Sequence, residues 1–313
     1  MVWRCHIGTE RINDHTEEAW AFLAPHLTQC KAYVFSHRGF VPPHLQSSDV
    51  WIIPPSIDPY APKNRELSRS EIGALLGEIG LTKDRPRRGT RRSALADWTR
   101  PLGPDDRLVV QVSRWDRLKD MQGVMTGFAE RVAGRSDTRL ALVGPTVGSV
   151  TDDPEGGVVL DECLSAWHAL SPRLRASIAL VALPMEDPDV NALMVNAVQR
   201  RSTIVVQKSL EEGFGLTVTE AMWKSRPVIA SDIGGIADQV VPGTGILLED
   251  PSDLTGFGDT VADLLAHPEH MAEMGRRARR HVQATFVGDR HLVQFALLIE
   301  HVLDRAQGDH GSA

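Results

Sequence analysis

From residue 107 onward the chain alternates between short apolar runs and longer amphipathic stretches. RLVVQV (107–112), RLALVG (139–144), SIALVAL (177–183), STIVVQ (202–207), RPVIAS (226–231) and GILL (245–248) are β-branched or aliphatic at most positions, and each is predicted to be a strand. Helical patterns lie between most of them. The clearest follows Asp120, a predicted N-cap: Met121, Val124, Met125, Phe128, Ala129 and Val132 recur at i, i+3, i+4 spacing. Strands alternating with helices in this way imply an α/β fold, a parallel sheet wound with helices on both faces.

The first part of the chain carries fewer such signals. VWRCHIG and KAYVFS are predicted strands, EEAWAFLAPHL a helix, and DVWIIPPSIDP a strand running into a turn. That amounts to about half of a doubly wound domain. Residues 83–106 are rich in Arg, Pro and Gly and are expected to form a linker with a solvated basic run. After residue 250 the pattern is helical, and GRRARRH (275–281) is expected to be an exposed helix face.

Composition narrows the function classes. The 313 residues are 42% hydrophobic and 24% charged, enough for a sizeable core and for two domains. A net charge of -7 argues against a nucleic-acid partner, which usually meets a dominant basic face. Cys5, Cys30 and Cys163 are odd in number and scattered, which fits neither a disulfide framework nor a metal clip and suggests a reducing cytoplasm. The opening residues lack an apolar signal-peptide core, and no later apolar run is long enough to cross a bilayer, so no membrane partner is expected.

In an open parallel sheet, ligands sit at the carboxyl ends of the strands. The loop after the first predicted strand of the second half is SRWDRLKD, with Arg114 and Lys119. A guanidinium grips two phosphate oxygens and an ammonium adds a compact point charge, so the pair would suit a diphosphate; two cations on a solvated loop is the alternative. The loop after the fourth strand opens EEGFGLTVTEAMWK (211–224). Gly213 and Gly215 leave backbone N–H groups approachable, and a helix beginning near Leu216 offers unpaired donors to an anion. Glu212 precedes that turn and Glu220 lies a helical turn inside it. Carboxylates there would repel phosphate, so they must face something rich in hydroxyls, such as a hexose and a ribose. A nucleoside diphosphate sugar satisfies all these groups. A Gly-rich loop before a helix whose start happens to be acidic satisfies them too.

The spacing Glu212–seven residues–Glu220, together with SRWDRLK, resembles the signature of retaining glycosyltransferases with the two-Rossmann GT-B fold, in glycosyltransferase family four. VWRCHIG, IIPPSIDP followed by PKN, QVSRWDRLKD, TDDPEG and QKSLEEGFGLTVTEAMWK are similar to the trehalose glycosyltransferring synthases and the retaining trehalose phosphorylases of that family. The resemblance extends from residue 2 to about 290. It implies a GT-B fold with an incomplete amino-terminal Rossmann-like domain (1–82), the linker (83–106), a nucleotide-sugar domain (107–286) and a final helix returning to the first domain, then a polar tail (287–313).

The resemblance also implies roles. Arg114 and Lys119 would neutralise the departing diphosphate. Glu212, with the amides of Gly213, Phe214, Gly215 and Leu216 and with Thr217 beside them, would hold the donor glucose and its phosphates, and Glu220 the ribose. His6 would lie near the donor sugar, and Arg4 would face the acceptor pocket. Asp152, Asp153 and Glu155 form a carboxylate-rich turn, and neither metal nor cofactor is expected, the nucleotide sugar being a co-substrate. The implied activity is retaining transfer of glucose from a nucleoside diphosphate to glucose. The alternatives are phosphorolysis of trehalose, and nucleotide-sugar binding without turnover. The chain begins at the strand that carries His6, in the middle of the family's first domain. A late start or a natural truncation would explain that, and the strand edges left exposed open a route to a homo-oligomer.

Overall fold

The second half of the chain commits to strands because its apolar runs bury residues of both parities. A computed structural model describes residues 1–6, 8–46, 48–83, 101–134, 137–147 and 154–310. In it, nine strands form two separate parallel sheets.

The first sheet has the order β1 (Val2–Arg4), β2 (Ala32–Phe35), β3 (Val50–Ile52), with α1 (Asp14–Leu27) crossing from β1 to β2. A capping box starts α1: the Asn13 side chain accepts the Thr16 N–H at 3.0 Å, and the Thr16 hydroxyl accepts the Asn13 N–H at 2.8 Å. Trp3 meets the rings of Trp20 and Phe35 edge to face, at 5.8 and 5.9 Å, and so fixes α1 on one side of this small sheet.

The next helix, α2 (Arg69–Glu78), belongs elsewhere. Leu76, Ile79 and Leu81 are buried in one cluster with Leu108, Val110, Ala141 and Val143 of the second sheet. Residues 69–82, grouped by sequence with the amino-terminal unit, therefore pack with the second one. Of the expected linker, residues 84–100 lie outside the described residues. Leu102 is buried in the same cluster, and its N–H donates to the Leu81 carbonyl at 2.9 Å.

The second sheet comprises β4 (Arg107–Val112), β5 (Thr138–Pro145), β6 (Ile178–Leu183), β7 (Ile204–Gln207), β8 (Val228–Ser231) and β9 (Ile246–Leu248), in the order β6-β5-β4-β7-β8-β9. Around it run α3 (Met121–Arg131), α4 (Pro154–Ala169), α5 (Pro172–Arg175), α6 (Pro188–Arg201), α7 (Leu216–Trp223), α8 (Gly234–Gln239), α9 (Leu254–Ala266) and α10 (Pro268–Thr285). Val109, Leu140, Leu142, Ile178 and Leu180 pack on one face; their neighbours Leu108, Val110, Ala141, Ala179 and Val181 pack on the other. The period of two thus appears as two cores, each covered by helices. Strand order reverses direction between β4 and β7, the switch point at whose carboxyl ends a ligand crevice is expected in an open α/β sheet.

The chain returns to the first sheet through α11 (Gly288–His310). Leu298 is buried with Ala32, Val34 and Ile53, and Asp49 takes both His301 and Arg305. The two passages between the halves touch: Ile57 N–H donates to the Phe286 carbonyl at 2.8 Å, beside an Ile57–Val287 bridge. In α10 the basic run is anchored by Glu273, which pairs with Arg276 and Arg277, and by Arg279, which lies over the Trp223 ring.

Candidate functional site

Between the carboxyl ends of the two sheets lies a cleft of about 1380 Å³. Arg4, His6 and Glu10 line it from the first half, and Arg114, Lys119, Glu212, Gly213, Phe214 and Gly234 from the second.

The loop after β4 is wound tightly by its own acids. Asp116 accepts the Leu118 N–H at 2.8 Å and takes Arg114 Nη2 at 3.0 Å. Asp120 adopts φ 46, a left-handed conformation that Asp tolerates better than most residues; it caps α3 by accepting the Gly123 N–H at 3.0 Å. The same carboxylate takes the ammonium of Lys208, which is wholly buried just past β7. Gln111 in β4 donates to the Lys119 carbonyl and accepts the Lys208 N–H at 3.1 Å, and Leu210 N–H donates to the Leu118 carbonyl at 2.7 Å. The two loops are therefore one hydrogen-bonded unit. Its product is a single contact on the cleft wall: Lys119 Nζ lies 2.9 Å from Glu212 Oε2, with the side chains 15% and 13% exposed. The same oxygen is within 3.4 Å of Gln207 Nε2 and 3.3 Å of Ser209 Oγ.

The turn that follows needs its glycines. Gly215 caps α7 at φ 76, and Gly234 stands at φ 47, where an added Cβ would lie 2.2 Å from the Glu212 carbonyl. Gly235 N–H donates to the Gly213 carbonyl at 2.9 Å, so the start of α8 seats residues 212–213. The Phe214 ring is buried against Phe286, 5.9 Å between centroids, and only its backbone serves the turn. Gln239, fully buried, donates to the carbonyls of Phe214 and Gly235 and accepts from Thr219.

Gly215, Leu216, Thr217 and Glu220 are not on the cleft wall. Leu216 is exposed, and Thr217 offers its carbonyl to Gln199 Nε2 at 3.3 Å. Glu220 is only 4% exposed; Lys63 Nζ sits 3.2 Å from its Oε1, while Oε2 is buried with no hydrogen-bond partner among the described residues. One turn on, burial pushes the Lys224 ammonium down to about 7, although it donates to Gln199, Asn64 and the Glu220 carbonyl.

Across the cleft, His6 is exposed, and the half-buried Arg4 guanidinium lies 5.3 Å from the Phe295 ring, its pKa lowered by burial. A second junction was not evident from sequence. His37 Nδ1 is 2.6 Å from Asp238 Oδ2 and Nε2 is 2.7 Å from Glu10 Oε1, while Glu10 Oε2 accepts the Gly234 N–H at 3.2 Å. The Asp238 hydrogen bond raises the His37 pKa, against the lowering effect of burial and with help from Glu10. Arg11 adds a contact to Glu211 at 3.5 Å. Asp152 and Asp153 lie outside the described residues, and Glu155 pairs with Arg117 at 3.2 Å. Among the described residues no helix is long and apolar enough to cross a membrane.

The sheet that carries the Lys119–Glu212 contact has known relatives. Residues 184–281 match the family model for glycosyl transferases group 1. The matched residues run from the end of β6 into α10 and include Glu212. The chain is 34% identical over 291 residues to a trehalose synthase of Rubrobacter xylanophilus, across 93% of this chain and 61% of that protein. It is 26% identical to a trehalose phosphorylase of Grifola frondosa, across 90% of this chain and 38% of that one. It thus spans about 61% of the length of the first relative. A solved structure of Anabaena HepE in complex with UDP-glucose superposes with a TM-score of 0.67 at 15% identity, covering 96% of this chain and 72% of that one. The fold built from the two sheets is of the GT-B type.

Proposed function

We propose that the chain binds a nucleoside diphosphate glucose across the cleft and transfers the glucosyl group, with retention, to glucose, giving trehalose. The observation that carries this reading is the Lys119–Glu212 contact at the β4–β7 switch, which sets a cation for phosphate beside a carboxylate for sugar hydroxyls. The similarity to trehalose synthases supports the products, and the likeness to a structure holding UDP-glucose supports the donor class.

In this reading the donor's diphosphate draws Lys119 and Arg114, and Glu212 exchanges an ammonium for hydroxyl donors. As the glucosyl C–O bond breaks, negative charge grows on the leaving phosphate, where fixed cations and the turn backbone at Gly213 and Phe214 meet it. The acceptor hydroxyl attacks on the face the phosphate leaves and passes its proton to a phosphate oxygen. His6 and Arg4 complete the opposite wall. No metal or cofactor enters the step. The odd number and scatter of the three cysteines suit the reducing cytoplasm in which we place the reaction.

One observation favours a nucleotide over inorganic phosphate as the partner. Among the described residues Glu220 keeps a buried oxygen without a donor, which ribose hydroxyls would satisfy and phosphorolysis of trehalose would leave unused. The test is a paired assay followed by NMR of the anomeric protons. UDP-, ADP- or GDP-glucose with glucose should yield α,α-trehalose, and Glu212→Gln should abolish it. Trehalose plus phosphate reacting faster would overturn the synthase reading, and donor binding without product would make the chain a sugar-nucleotide binder.

A further inference from the structure

PKN (62–64), one of the stretches that carries the family resemblance, has no part in the chemistry described so far. It lies in the segment that leaves the first sheet after β3 and reaches α2 on the second. That segment is clamped by buried polar side chains. Asn196 Nδ2 donates to the carbonyls of Pro62 and Arg65, both at 2.9 Å, and Arg200 Nη2 to those of Asn64 and Arg65 at 3.1 and 2.9 Å. Trp223 Nε1 donates to the Asn64 carbonyl at 3.2 Å, and the Lys224 ammonium reaches the Asn64 side chain. Asn196, Lys224 and Asn64 are each buried. Hydrogen bonds from buried groups hold a backbone to one position, because breaking any of them strands a polar atom away from water.

The side chain delivered by this clamp is Lys63. Its ammonium stands 3.2 Å from Glu220 Oε1, and it is itself 41% exposed. Glu220 presents the opposite case: a carboxylate inside α7 whose other oxygen has no hydrogen-bond partner among the described residues. A buried carboxylate without a cation is expensive, and an ion pair to one oxygen fixes its plane and leaves the second oxygen directed elsewhere.

We infer that Lys63 is a positioning residue for the nucleoside: it holds Glu220 by one oxygen so that the other accepts the ribose hydroxyls. This rests on the donor reading above and adds a residue from outside the matched residues 184–281 to the nucleotide site. Lys63 acts through Glu220, so its effect should follow the ribose and not the phosphates.

The experiment is calorimetric titration of the full chain with UDP, ADP and GDP, and with inorganic pyrophosphate. With the best-bound nucleoside diphosphate, Lys63→Met should weaken binding about tenfold, while Lys63→Arg recovers most of it. Pyrophosphate affinity should change less than about twofold, and in a Glu220→Gln background the Lys63→Met loss should shrink to about twofold or less, since a coupling that runs through one partner vanishes with it. In steady state the Lys63→Met change should appear in the donor KM with kcat nearly unchanged. Equal weakening of nucleotide and pyrophosphate, or an undiminished loss in the Glu220→Gln background, overturns the inference and leaves the donor reading standing. If the unsubstituted chain binds none of the three nucleotides, the donor reading falls and the inference falls with it.

Discussion

Lys119→Met is the substitution that separates the stabilising role of the Lys119–Glu212 contact from its chemical one. At 2.9 Å the gross attraction between the two charges is about 6 kcal/mol with an effective dielectric of about 20, much of it offset by the desolvation of both groups. Removing the ammonium leaves Glu212 as a mostly buried carboxylate supported, among the described residues, by Gln207 and Ser209 at 3.4 and 3.3 Å. Breaking a fully buried pair costs roughly 3–5 kcal/mol, and those two donors with the residual exposure reduce that to about 2–3 kcal/mol. For a domain of this size each kcal/mol lowers Tm by about 2–4 °C, so the variant should melt roughly 5–10 °C below the parent. Adding Glu212→Gln removes the orphaned charge and should restore most of that loss. Transfer should respond differently: each single variant should lose about 10³-fold in kcat, and the double variant should stay inactive because the groups that meet phosphate and sugar are both gone. Differential scanning calorimetry beside the transfer assay reads both effects. A Tm for Lys119→Met within a degree of the parent, or a double variant no more stable than Lys119→Met alone, would refute the claim that the two side chains depend on each other.

Two further outcomes concern Gly234 and the His37 junction. Gly234→Ala should melt lower by about 2 kcal/mol, since a left-handed backbone disfavours a Cβ and the new atom would meet the Glu212 carbonyl; Gly213→Ala, where an added Cβ meets nothing within 4 Å, should leave Tm unchanged. The His37 junction sets a pH dependence: its folded pKa lies above the unfolded value, so its contribution is complete below about pH 6.5 and is lost as pH rises through the raised value. Tm should therefore fall with rising pH over that window in the parent, and His37→Gln should flatten the slope; a parallel slope in the variant would show that the junction contributes nothing.

The strands of the second sheet were legible because buried parallel strands must be apolar at nearly every position, and β4 runs over 107–112 as its sequence predicts. Asp120 was legible as a cap for the same local reason, and the structure adds that it also balances Lys208. Glu212 and Lys119 could be named because each follows a strand whose end defines the crevice. What stayed hidden depends on contacts between distant residues. His37 meets Asp238 across 201 residues, and nothing in SHRGF marks that histidine. Gln239 resembles an ordinary polar helix residue until the carbonyls it satisfies are seen. The packing of α2 on the second sheet is not legible from sequence because its apolar anchors Ile79 and Leu81 lie at and beyond its end, where periodicity gives no warning.

The side-by-side passage of the two connections at Ile57 and Phe286 has a mechanical consequence. Two covalent threads fastened to each other act as one pivot, so the halves can swing about it without either thread stretching. Glu10, Arg11 and His37 bridge the halves at Gly234, Glu211 and Asp238, on elements that pack in one cluster with Ile57 and Phe286. Those few polar contacts therefore restrain the turn of the pivot from beside it.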